Sequence, residues 1–136
     1  MEIQAKQPTI KGPGQTFTGE VWFDVITGGE YRRMRVNTVR FAPGARTAWH
    51  SHPCGQTLYV TDGRGLVQSR GGRVMEIRPG DVIYTPPGEE HWHGAARDHF
   101  MTHLALWEVD DQGESATWGP LVTDEEYGAA PRLQGG

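Results

Sequence analysis

Residues 44–63 read GARTAWHSHPCGQTLYVTDG and hold two histidines one residue apart, His50 and His52, between glycines at either end. Side chains two positions apart on an extended strand point to the same face, so this pair presents two imidazoles side by side. Gln56 is the next polar side chain on the same strand system. A later stretch, GDVIYTPPGEEHWHG over residues 80–94, brings His91 after a Pro/Gly-rich turn that can fold a strand back across the first. Imidazole nitrogens with one oxygen ligand suit a single divalent transition ion, whether manganese, iron, nickel, copper or zinc.

Outward from that stretch the hydrophobic pattern keeps a period of two, as strands require. Residues 18–26 (TGEVWFDVI) and 31–42 (YRRMRVNTVRFA) read as strands joined by a TGGE turn. QTLYVTDG followed by RGLVQSRGGRVMEI reads as hairpin-forming, with Asp62-Gly63 and Gly71-Gly72 as turn signals. DVIYTPPGEEHWHGA and HFMTHLALWEV supply further strands. Only TDEEYGAA, near the end, has helical composition, and the last six residues, PRLQGG, are expected to fray. Eight or more short strands at this spacing imply an all-β sandwich or barrel. Alternation also sorts faces. Asn37, Val39 and Phe41 share one side of their strand, and Met101, His103, Ala105 and Trp107 share one side of theirs; both sides are candidates for the interior.

The chain has 136 residues, the size of one domain with one core, so a single domain spanning 1–136 is expected. Nineteen glycines and nine prolines fit a turn-rich β protein. A formal charge of −4 offers no basic stripe to follow phosphates, which argues against nucleic-acid binding. Apolar runs are far too short for a membrane span, and the first residues lack the charged start and apolar core of a secretion signal. A cytoplasmic protein acting on a small molecule is the expectation. Cys54 is the single cysteine, so no intramolecular disulfide can form; it reads as a small turn residue, since no neighbouring base is placed to activate it.

Gly44, His50, His52, Gln56 and Gly63, with Gly80, Pro86, Gly88 and His91, resemble the two sequence motifs of the cupin superfamily, at residues 44–63 and 80–95. Glutamine stands where glutamate is usual, and Ala95 where asparagine is usual. The resemblance implies a double-stranded antiparallel barrel of jelly-roll type, with His50, His52, Gln56 and His91 as ligands to one divalent metal, and a homodimer or higher homo-oligomer. PGARTAWHSHPCGQTLYVTDG, PGEEHWHGA and MTHLAL further resemble the small bacterial cupins that act as manganese-dependent hydroxynitrile lyases. In those, a histidine after the second motif lies near the metal as acid/base, and His103 matches it. That makes manganese the expected metal. Asn37, Val39 and Trp107 then become candidate substrate contacts. Asn37 and Trp107 depart from the best-known member, which has a small apolar residue and a glutamine there.

The residue types carry chemical consequences of their own. Three neutral histidines and a neutral glutamine leave a divalent ion its full charge, which favours anions and Lewis-acid catalysis and makes a trivalent state harder to reach. His103, with an ordinary pKa near 6.5, suits proton transfer around neutrality. Trp49, Trp92 and Trp107 are candidate pocket walls for an aromatic substrate. His93 reads as either a surface or a pocket-side residue, and His99 as solvated. A cyanohydrin lyase is the leading expectation. An oxygen-dependent dioxygenase cleaving a diketone or flavonol, and a non-enzymatic ligand-binding barrel, are the alternatives.

Overall fold

A computed structural model describes residues 1–29 and 32–129. Its strands are β1 (Ile10–Lys11), β2 (Phe17–Thr18), β3 (Val21–Thr27), β4 (Met34–Phe41), β5 (Arg46–Thr47), β6 (His50–Ser51), β7 (Gln56–Gly63), β8 (Gly65–Ser69), β9 (Met75–Ile77), β10 (Val82–Thr85), β11 (His91–Ala95), β12 (Met101–Glu108) and β13 (Thr117–Trp118); one short helix, α1 (Asp124–Gly128), follows. All pairings are antiparallel. One sheet runs β1-β3-β4-β12-β7-β10; the other runs β13-β6-β11-β5-β2, with β8 on the far side of β11 and β9 beyond it. The expected all-β barrel is therefore what the chain forms. No helix among the described residues is long and apolar enough to cross a membrane.

Alternation builds the interior. Along β12, Met101, His103 and Ala105 are buried while Thr102, Leu104 and Leu106 are half-exposed on the outer face. Along β4, Val39 and Phe41 point in, and Arg40 points out to a 2.7 Å ion pair with Asp24. The apolar end of the barrel is closed by Val21, Phe41, Leu58, Val60 and Met101, all essentially inaccessible. Full burial of such side chains stabilises by about 1.5–3 kcal/mol each. The histidines lie on the same inward rows, so the core also forms the floor of the site.

Two expectations about turns come out differently. Gly71-Gly72 does close a hairpin, between β8 and β9. Asp62-Gly63 does not: β7 pairs with β10 and β12, while β8 pairs with β9 and β11, so the glycine marks the corner where the chain passes from one sheet to the other. Gly63 has φ +82°, and a Cβ there would overlap the Phe100 carbonyl, so the corner needs both the left-handed backbone and the missing side chain. The strand expected over 31–42 begins at Met34; Glu30, Tyr31 and residues 130–136, which include PRLQGG, lie outside the described residues.

The helix in TDEEYGAA is present and capped as its composition implies. Thr123 Oγ1 accepts from the Glu126 N–H at 3.0 Å, and the Glu126 carboxylate accepts from the Thr123 N–H at 2.9 Å. It docks onto the barrel through Tyr127, whose hydroxyl donates to the Ala95 carbonyl, and through Arg46, whose guanidinium donates to Asp124 and to the Val122 carbonyl.

Trp49 and Trp92 belong to this docking face and not to a pocket wall. They pack with Leu66, Val122 and Tyr127 in a second buried cluster. The reason is alternation: Trp49 precedes His50, and Trp92 separates His91 from His93, so both indoles point away from the face the histidines share.

Candidate metal centre

The short strand β6 carries His50 and ends before His52, yet the extended backbone keeps both rings on one side, 5.1 Å apart between centroids. β11 lies beside β6 in the register His91↔His50, which brings the His50 and His91 rings to 4.3 Å. Gln56 opens β7 on the opposing sheet and reaches across, with Oε1 3.0 Å from His91 Nε2. Side chains of the 44–63 stretch are thus brought against β11, with His50, Gln56 and His91 in close contact and the His52 ring 5.8 Å from that of His91.

Each of three rings is fixed by a backbone carbonyl. His50 Nδ1–H donates to Ala48 O at 2.9 Å, His52 Nδ1–H to Ser115 O at 2.8 Å and His91 Nδ1–H to Glu89 O at 3.0 Å. A carbonyl can only accept, so each Nδ1 carries the hydrogen and each Nε2 of the neutral ring keeps its lone pair. That is the tautomer and the anchoring typical of metal-binding histidines. His91 Nε2 then faces Gln56 Oε1, acceptor against acceptor, an arrangement a shared cation makes favourable. His52 Nε2 is buried with no hydrogen-bond partner among the described residues, which fits the same conclusion. The donor set is nitrogen with one amide oxygen, appropriate to a borderline divalent ion.

His93, left open between two roles by its sequence, is fully inside. Its ring stands 5.2 Å from that of His50 and 5.8 Å from that of His91. Nitrogens of His50, His91 and His93 all lie within 4.8 Å of one another, a three-histidine group able to hold a metal ion. His93 Nδ1 is 2.9 Å from His103 Nε2, and both His93 Nε2 and His103 Nδ1 lack partners among the described residues. His103 itself is fully buried behind His93, against the Phe41 ring, and does not border the open lumen. His99, half-exposed, has its ring Nδ1 bonded to the adjacent Phe100 carbonyl and does not line the lumen.

Burial keeps the rings of His50, His52, His91, His93 and His103 neutral near pH 7. It pushes His52 and His103 down to about 4, and His50, His91 and His93 below the ordinary histidine value; at His50, His52 and His93 the crowding of imidazoles adds to the effect, because charging one ring disfavours charging the next. A neutral imidazole is the form that binds a cation.

The lumen in front of the histidines is a cavity of about 340 Å³. Asn37, Val39 and Trp107 all line it, where alternation placed them. Its aromatic walls also include Phe17, Phe23 and Trp118, none of which any motif marked. Trp118 stacks on His50 with rings 4.5 Å apart, and it arrives through β13 pairing with β6. Ser115, which orients His52 through its backbone carbonyl, left no side-chain signal at all. Cys54 sits half-buried in its turn, outside the lumen.

Residues 37–107 match the cupin domain family. The chain is a cupin. Over 130 residues this cupin is 50% identical to the (R)-mandelonitrile lyase of Granulicella tundricola, a match covering 93% of this chain and 98% of the other. A solved cupin-like protein of Thermotoga maritima is 40% identical to it, with a TM-score of 0.83 over 96% of this chain and 98% of that one. The polyketide cyclase RemF of Streptomyces resistomycificus shares the fold at a TM-score of 0.68 and 17% identity, over 93% of this cupin and 90% of the cyclase. The three-histidine group and the relative named as a lyase together support a metal-dependent cupin enzyme.

Proposed function

We propose that this cupin uses one manganese ion to cleave and form cyanohydrins of aromatic aldehydes. The observation that carries this reading is the common orientation of His50, His52 and His91, each with Nδ1–H held by a backbone carbonyl and so with its lone pair on Nε2. Half-identity to a protein named for mandelonitrile cleavage supplies the reaction, and the Phe17, Phe23 and Trp118 walls suit a phenyl ring.

His50, His52, Gln56 and His91 would hold the metal. A divalent cation on neutral ligands supplies Lewis-acid stabilisation of the anion left when a cyanohydrin loses its hydroxyl proton. His93 has a different job because its anchor differs: a backbone carbonyl cannot take a proton, whereas the imidazole of His103 can. His93 Nε2 accepts the hydroxyl proton while its Nδ1–H passes to His103 Nε2 across 2.9 Å. The oxygen's electrons form the carbonyl, the carbon–cyanide bond breaks with its electron pair on cyanide, and the histidine pair returns the proton as hydrogen cyanide leaves. His103 thus acts as acid/base through His93.

The test is metal analysis of protein purified without chelator, followed by an assay of benzaldehyde release from (R)-mandelonitrile with and without oxygen. Metal-dependent, oxygen-independent release is expected. Metal-loaded protein that releases nothing, yet consumes oxygen with a diketone or flavonol, overturns the reading in favour of a dioxygenase.

A further inference from the structure

The lumen is not the only hollow that reaches Gln56. A second cavity of about 230 Å³ lies on the outer side of the same strands, lined by Met34, Cys54, Thr57, Tyr84 and Glu108 among others. Among the described residues, Gln56 and Trp107 alone border both hollows. They are direct cross-strand partners in the β7–β12 register, so the partition is one residue pair thick. Gln56 is committed to the metal centre. The indole of Trp107 is therefore the part of the wall whose size can vary without touching a ligand. Its ring stands 5.8 Å from that of His52, at the end of the lumen where the chemistry takes place. Trp107 Nε1 is buried without a hydrogen-bond partner among the described residues, so packing, not a directional bond, holds the ring there.

We propose that Trp107 sets the length of the substrate: it seals the lumen from the outer groove, so that the site accepts a single aromatic ring and rejects one carrying a second ring toward Gln56. This rests on the reading of the lumen as the substrate site. The cavity size agrees, since about 340 Å³ lies at the small end of pockets that hold organic ligands. With a smaller residue at 107 the two hollows join, and a two-ring ligand runs from the histidines into the groove beside Cys54.

Benzoate and 4-phenylbenzoate, which bind without reacting, are the probes, and calorimetry on metal-loaded protein is the readout. The wild type is expected to bind benzoate at least tenfold more tightly than 4-phenylbenzoate, the order of discrimination that a shape-limited apolar pocket gives. Trp107→Ala should remove or reverse that preference, and Trp107→Phe, which keeps most of the wall and loses no hydrogen bond, should retain it. Trp107→Leu replaces the alanine variant if the latter fails to give a cooperative melt. In the opened variant 4-phenylbenzoate should also slow alkylation of Cys54 by iodoacetamide, and in the wild type it should not. Equal binding of both acids to the wild type, or an unchanged preference in a folded opened variant, overturns the proposal. If neither acid binds the wild type, the reading of the lumen as the ligand site fails and takes the proposal with it.

Discussion

His103 is linked to the lumen-lining His93 by a hydrogen bond: the Nε2 of one and the Nδ1 of the other are 2.9 Å apart, and both rings are buried beside Phe41. A histidine so placed can hold or deliver a proton without meeting the substrate. Replacing His103 by alanine should lower the rate of benzaldehyde release from mandelonitrile by about 10²-fold or more, the usual share of a general acid/base. His93→Ala should lose at least as much. On the proposal that the two act as one relay, the double variant should be little worse than His93→Ala alone. Full activity in the His103 variant eliminates the relay.

Metal removal should cost stability as well as activity. The Nε2 atoms proposed to take the ion are already oriented by the carbonyls of Ala48, Ser115 and Glu89, so an ion held there would bind the folded chain in preference to the unfolded one. At free metal about 100 times its Kd, the folded state gains about 2.7 kcal/mol, which raises Tm by several degrees. Thermal melts with and without chelator measure this; identical midpoints contradict the site.

Gln56→Glu adds a negative charge to a neutral ligand set. The metal should bind more tightly while its attraction for anionic ligands falls, so the inhibition constant for azide should rise and cyanohydrin turnover should drop. A variant that turns over cyanohydrin faster than the wild type would contradict the importance of the neutral amide.

The metal-free protein should lose stability in mild acid. Burial holds His52 and His103 at about 4 in the folded chain, against an ordinary 6.5. Between those values the unfolded chain binds more protons than the folded one, so stability falls as pH drops through 6.5 toward 4 and is level above 7. Urea midpoints measured from pH 8 to pH 4 should follow that course.

Trp92 separates stability from recognition. Its Nε1–H donates to Gln68 Oε1 at 2.8 Å, and its ring packs under the C-terminal helix on the side away from the lumen. Trp92→Phe should cost about 1–3 kcal/mol through the lost bond and poorer packing, with KM unchanged. A shifted KM with an unchanged melt contradicts that division.

Alternation made much of this molecule legible. The period-two pattern placed His50 with His52, Asn37 with Val39 and His103 with Trp107 on inward rows, and the glycines of GARTAWHSHPCGQ and GDVIYTPPG marked turns. The same rule assigns Trp49 and Trp92 to the outer side, since each is adjacent to a site histidine. Asp62-Gly63 misled because a tight turn and a sheet-to-sheet corner ask the same backbone of glycine, and only the partners of the flanking strands distinguish them.

The order of residues alone determined the all-β class and the inward faces of the strands, because period is a property of local covalent geometry, and it named His50, His52, Gln56 and His91 as ligand candidates through their likeness to two motifs. Tertiary structure alone decided what holds those ligands and what surrounds them: the Ser115 carbonyl on His52, Trp118 stacked over His50, His93 interposed before His103, and the Trp107 partition. These depend on which strands lie side by side. A backbone carbonyl or an aromatic face carries no signature in sequence until another strand is brought against it.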